Sequence, residues 1–144
     1  ICFGHQLVAQ ALGTPVGKAD SGWGVGAIDY DFFDTSPPWM QPPPGGPVRL
    51  LASHQDQVLA LPEGAELLAR SARCPIAGYQ IGEHTLCMQP HPEFTKPVSK
   101  GLVERRLERI GAARSAEALD SFDEPLDADL VAGWIAEFFR GLAR

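Results

Sequence analysis

Long apolar runs are missing from this sequence: no stretch approaches the roughly 20 consecutive apolar residues of a membrane-spanning helix, and no signal peptide is visible. Positive charge is scarce as well. Twelve Lys and Arg stand against 18 Asp and Glu, a net charge of −6, which excludes a sequence-independent nucleic-acid surface built on clustered cations. Cysteine is rare too: Cys2, Cys74 and Cys87 are odd in number with no close pair, which argues against a disulfide framework and for a reducing, cytoplasmic setting. There is no internal repeat. The one compositionally biased segment is "DTSPPWMQPPPGGP" at 34–47, which holds six of the 13 prolines and reads as a loop. What is present is ordinary for a globular domain. With 44% hydrophobic and 21% charged residues, a chain of 144 is one domain, or part of one, able to bury a core.

Periodicity places the elements. Leu7, Val8, Ala11 and Leu12 follow a helical spacing over 4–12, which Gly13 ends. "VGKADSGWGVGAIDYDFF" at 16–33 reads as two strands joined by a glycine-rich turn. Strands are expected at 48–53, 65–71, 76–82 and 85–89, the last two forming a hairpin across "GEH". Helical spacing returns over 97–111 and 115–122. A final helix, with Asp127 as N-cap, carries the broad stripe Leu130, Val131, Trp134, Ile135, Phe138, Phe139 and Leu142. These boundaries divide the chain into 1–112 and a helical extension, 113–144, packing on the same domain.

The opening "ICFGHQ" places a cysteine immediately before a helix. A nucleophile on a sharp strand-to-helix turn needs small neighbours, and Gly4 supplies one. The N–H groups of the following helix favour a thiolate, which matters for a thiol whose free pKa is about 8.5. "QPHPEF" supplies a second element. His91 and Glu93 stand two apart at the end of a strand, so their side chains share a face and the carboxylate can hold the imidazole. A base oriented by an acid is what a cysteine nucleophile requires. In "SHQDQVLALPEG" the His54-x-Asp56 pair lacks the further ligands a metal site needs, so no metal is expected. The glycines of "GWGVG" do not lie between a strand and a helix, which makes a dinucleotide loop a poor reading. His5 reads as a helix-face residue, His84 as a hairpin tip, and Cys74 and Cys87 as core or near-surface thiols.

Taken in order, "ICFGHQ", "GWGVG", "SHQDQVLALPEG" and "MQPHPEF" resemble the class I glutamine amidotransferase family over residues 1 to about 95, nearest to stand-alone proteins like the amidotransferase half of GMP synthase. The resemblance implies a flavodoxin-like α/β sandwich around a mainly parallel sheet. It also implies that the first strands, a glycine-rich oxyanion loop and the strand leading into Cys2 lie upstream of Ile1. It casts Cys2 as nucleophile, His91 as general base and Glu93 as the residue orienting it. The Phe3 N–H becomes an oxyanion donor, Gln6 a lining residue of the glutamine pocket, and His54 and Asp56 residues near that pocket. Pro90 departs from the family, which commonly has an aromatic residue or glycine there. No cofactor is implied. The substrate would be glutamine or a γ-glutamyl compound, with a synthetase as possible ammonia acceptor. A γ-glutamyl peptidase with the same triad and a non-catalytic binding module are the competing readings.

Overall fold

The computed structural model describes residues 1–33 and 37–142. A helix α1 (Phe3–Ala11) opens the chain. Seven strands follow: β1 (Val16–Lys18), β2 (Gly24–Phe32), β3 (Val48–His54), β4 (Asp56–Val58), β5 (Ala65–Arg70), β6 (Gly78–Ile81) and β7 (Thr85–Met88). Four helices close it: α2 (Lys96–Arg105), α3 (Leu107–Ile110), α4 (Ala112–Asp120) and α5 (Ala128–Leu142). The helical stretch expected over 97–111 is thus two helices, divided at Arg106. β4 was not expected. It follows β3 after a single residue and pairs with β1.

The main sheet has the order β3-β2-β5-β6-β7, and every pairing in it is antiparallel. This corrects the expectation of a mainly parallel sheet. Parallel neighbours need a crossover, usually a helix, between successive strands. Here no helix intervenes between β1 and β7 among the described residues, and the strands turn back on one another. The α/β layering survives. On one side, α5 sets Val131 and Trp134 against Tyr30, Phe32, Val48, Leu50 and Met88. On the other, α2 and α4 contribute Val103 and Ala118 to a cluster with Val25 and Leu51. Leu50 and Leu51 are both about 1% exposed, one in each cluster, because successive strand residues face opposite ways.

Two glycines of "GWGVG" are explained by close approach. A Cβ at Gly26, where φ is +91°, would come within 2.8 Å of the Ala118 Cα, so the missing side chain lets α4 lie on β2. A Cβ at Gly24 would come within 2.5 Å of the His54 ring. The proline-rich segment is irregular, as expected, and its residues 34–36 lie outside those described. The remainder is anchored: Met40 is fully buried, and the Pro42 carbonyl accepts from the Trp134 indole at 2.9 Å. Asp127 sits just before α5, yet its carboxylate accepts from the Arg49 N–H at 2.7 Å while its own N–H donates to the Arg49 carbonyl at 2.9 Å. It closes the outer edge of β3.

Candidate active site

Cys2 is the N-cap of α1 with φ 48° and ψ −101°, the one non-glycine residue at positive φ among the described residues. Such a conformation costs on the order of 1–3 kcal/mol and persists only where surrounding bonds enforce it. They do so here. The Cys2 N–H donates to the Met88 carbonyl at 2.7 Å, and the Cys2 carbonyl accepts from the Gln6 N–H at 3.1 Å. The first bond ties the turn to the last residue of β7, three positions before His91. The role expected for Gly4 finds no support in packing, since a Cβ there would meet nothing within 4 Å.

His91 is placed by backbone as well. Its N–H donates to the Leu51 carbonyl at 2.8 Å, an antiparallel bridge that brings the chain beyond β7 against β3. The first and last strands of the sheet order therefore meet at the candidate site. The imidazole is held on two sides: Nδ1 lies 2.7 Å from a Glu93 carboxylate oxygen, and the ring stacks on Phe94 at 3.8 Å with 9° between planes. With Nδ1–H donating to a carboxylate, Nε2 is the nitrogen left with a lone pair. The His91 side chain is 11% exposed and that of Glu93 50%, so the acid faces water while the base does not.

The thiol environment differs from the sequence expectation. Burial pushes the Cys2 thiol above its ordinary pKa; the neighbouring Phe3 N–H pulls the other way, the Glu93 charge adds to the rise, and a hydrogen bond from Gln89 opposes it. Burial outweighs the helix N-terminus, so ionisation requires a base. The side-chain partner of the sulfur is the Gln89 amide at 3.3 Å.

The other expected residues gather around this centre. Phe3 turns its ring to solvent, 72% exposed, while its N–H lies against the sulfur. Gln6 is engaged within the protein: its amide donates to the Asp56 carbonyl at 2.7 Å and to the Gln89 side-chain oxygen at 3.1 Å. Asp56 contributes this carbonyl, and its side chain is exposed. His54 is buried against Gly24, both ring nitrogens lack a hydrogen-bond partner among the described residues, and burial lowers its pKa to about 4. His5 lies on α1, as expected of a helix-face residue, and is fully buried; burial again lowers its pKa to about 4, and the Tyr79 hydroxyl donates to its carbonyl at 2.7 Å. Cys74 and Cys87 are buried free thiols. Among the described residues no group of three or more His, Cys, Asp or Glu is placed to hold a metal, and no helix is long and apolar enough to cross a membrane.

Two residues escaped the sequence reading. Gln89 is 0% exposed, and a long polar side chain closing the run "TLCMQ" was its signal. Phe94 was within the quoted "HPEF" but had no assigned role. A groove of about 900 Å³, lined among others by Trp39, Glu66, His84 and Phe138, includes none of the expected site residues.

Comparison with known proteins accords with this geometry. The family model for glutamine amidotransferase class-I matches residues 1–108. The chain is 36% identical to γ-glutamyl peptidase 3 of Arabidopsis thaliana over 118 residues, which is 74% of this chain and 45% of that protein. It is 33% identical to a glutamine-hydrolysing GMP synthase of Paraburkholderia phymatum over 138 residues, 88% of this chain and 26% of that one. A glutamine amidotransferase structure from Thermotoga maritima superposes with a TM-score of 0.67 at 18% identity, covering 96% of this chain and 58% of its own, a likeness of fold. The chain spans about half the length of curated relatives it matches. A family match over three quarters of the sequence, with a strained cysteine turn bonded to the strand that leads to a His-Glu pair, makes this chain a member of the class I glutamine amidotransferases.

Proposed function

We propose that the protein hydrolyses the side-chain amide of glutamine through Cys2, His91 and Glu93, with a γ-glutamyl thioester as intermediate. One observation carries the reading: the positive-φ turn that presents the Cys2 thiol is bonded to β7, the strand whose continuation presents His91. His91 Nε2 takes the thiol proton, and the sulfur attacks the amide carbon. The Phe3 N–H donates to the oxyanion that forms. As the tetrahedral adduct collapses, the C–N bond breaks and the imidazolium gives its proton to the departing ammonia. Water then attacks the thioester with His91 as base, the C–S bond breaks, and glutamate leaves with the thiol restored. Glutamine and water become glutamate and ammonia, with no electron transfer. Glu93 holds the Nδ1–H and offsets the positive charge of the imidazolium in both steps.

The similarity to γ-glutamyl peptidase 3 favours a second reading, in which the leaving nitrogen belongs to an amino acid rather than ammonia. The acylation chemistry is the same. In the first reading the ammonia passes to a synthetase partner, which the likeness to GMP synthases supports. The free cysteines accord with a reducing cytoplasmic setting. We also read 1–112 as part of the amidotransferase domain and 113–144 as a helical extension on it, since Trp134 enters the main core. The test uses protein expressed from the complete gene. Ammonia release from glutamine is compared with amino-acid release from a γ-glutamyl dipeptide, for wild type and Cys2→Ala. Turnover of glutamine alone favours the first reading, turnover of the dipeptide alone favours the second, and no turnover of either defeats both.

A further inference from the structure

A chain of side-chain amides runs from the main chain to the candidate nucleophile, and its direction is set by an atom that cannot reverse. The Asp56 carbonyl can only accept a hydrogen bond, so the Gln6 group 2.7 Å from it is the NH₂. That same NH₂ lies 3.1 Å from Gln89 and donates to it, so the Gln89 atom facing Gln6 is the oxygen. The Gln89 NH₂ is then left facing the Cys2 sulfur at 3.3 Å. An isolated amide could turn over and offer its oxygen to the thiol instead. Here a flip of Gln89, itself fully buried, would set its NH₂ against that of Gln6. The sulfur thus faces a fixed donor.

We propose that Gln89 is a positioning residue for the Cys2 thiol, oriented through Gln6 by the Asp56 carbonyl so that it always presents an N–H to the sulfur. The arrangement rests on Cys2 being the nucleophile. A donor toward sulfur favours the thiolate over the thiol and offsets part of what burial does. It also limits the rotation of the side chain, holding the sulfur in place between acylation and deacylation. A merely structural role for Gln89 predicts loss of stability on substitution with no change in the ionisation of Cys2.

Alkylation by iodoacetamide separates the two. The rate at the Cys2-containing peptide is followed by mass spectrometry from pH 6 to 10 in protein expressed from the complete gene, for wild type, Gln89→Leu, Gln89→Glu and Gln6→Leu. A hydrogen bond to a charged group is worth roughly tenfold or more in equilibrium, and one pH unit is tenfold in thiolate fraction below the pKa. Gln89→Leu is therefore expected to move the profile up by about one pH unit and slow labelling roughly tenfold at pH 7. Gln89→Glu, which keeps the shape but replaces the donor by a carboxylate, should move it at least as far. Gln6→Leu, which frees Gln89 to turn, should give an intermediate shift. Should Gln89→Leu fail to fold by circular dichroism, the near-isosteric Gln89→Glu carries the comparison. Superimposable profiles overturn the proposal. No substrate enters the assay, so a shifted profile in a protein that hydrolyses neither glutamine nor a γ-glutamyl dipeptide defeats the functional reading alone. An unshifted profile in an active enzyme defeats only the role of Gln89.

Discussion

Glu93→Gln tests how the candidate triad divides its labour. The carboxylate oxygen lies 2.7 Å from His91 Nδ1, and nothing in the proposed chemistry brings it to the reacting carbon. Its contribution is a charge-assisted hydrogen bond that strengthens as the imidazole becomes an imidazolium. Bonds to charged groups are worth about 1.5–3 kcal/mol, which corresponds to roughly 10- to 150-fold in rate. Two features of the site refine that range. The Glu93 side chain is 50% exposed, so water takes over part of the charge stabilisation and the lower half of the range is expected. The ring also keeps its stacking on Phe94 at 3.8 Å, so it does not swing away when the carboxylate is neutralised.

The substituted amide can still offer its oxygen to the Nδ1–H, because an exposed side chain is free to choose that orientation. The loss of about 10⁴ that follows when an amide enforces the wrong imidazole tautomer is therefore not expected. The assay is kcat/KM for glutamate release from glutamine, or from a γ-glutamyl dipeptide if that is the better substrate, with circular dichroism as a check on folding. A fall of 10- to 50-fold fits the reasoning. An unchanged rate would show that the dyad is not used. A fall beyond about 10⁴ would show that Glu93 does more than orient the ring.

Four further outcomes follow from the geometry. Cys2→Ala and His91→Ala should each reduce hydrolysis to background while His54→Ala keeps measurable activity; the reverse order for the two histidines would reassign the base. An electrophile should label Cys2 ahead of Cys87 and Cys74, since Cys74 is buried and its thiol is pushed up to about 12, and preferential modification of either in a peptide map counts against the assignment. Gly26→Ala combines a positive φ with a contact of 2.8 Å to the α4 backbone, and should cost about 2–4 kcal/mol in urea unfolding; a loss under about 0.5 would contradict the packing. His5 and His54 stay neutral in the fold down to about pH 4, whereas their unfolded counterparts protonate near 6.5. Unfolding free energy should therefore fall as pH drops from about 6.5 and level off below about 4, by at most on the order of 3 kcal/mol per histidine, and a flat pH dependence would refute their burial.

The strands and helices were legible because their signals are local. The β6–β7 hairpin, the α1 pattern ended by Gly13 and the apolar stripe of α5 depend on residues a few positions apart, and each is where the spacing put it. Strand direction is not local. It depends on what joins the strands, and among the described residues from β1 to β7 there are none of the helices that parallel neighbours would need. β4 was hidden because its partner, β1, lies 40 residues earlier and each strand has only three residues. The candidate triad was legible through motifs. What surrounds it was not. The sequence of Gln6 carries no sign that its amide is bonded to Asp56 and Gln89, and the effect of burial on Cys2 emerges only when β7 is in place.

The site is held chiefly by main-chain atoms. Cys2 is tied to Met88, His91 to Leu51 and Gln6 to Asp56, each through a backbone carbonyl of a strand or of its last residue. A carbonyl within a strand moves only if the strand does, so the relative placement of the candidate nucleophile and base is as stable as the pairing of the sheet. The two kinds of damage should then separate. A packing change far from sulfur, such as Gly26→Ala, lowers the fraction folded but leaves kcat/KM per folded molecule near wild type, because the molecules that retain the sheet retain the site. A change at Gln89 or Glu93 leaves the main-chain ties intact and lowers kcat/KM at nearly unchanged backbone order. The same logic gives the proposed chemistry its footing at a half-buried thiol with a raised pKa. The strained turn carries a cost that the Met88 and Gln6 bonds offset, and the sulfur stands at a fixed place where the Phe3 N–H and the Gln89 amide favour a thiolate, the species the proposed mechanism requires.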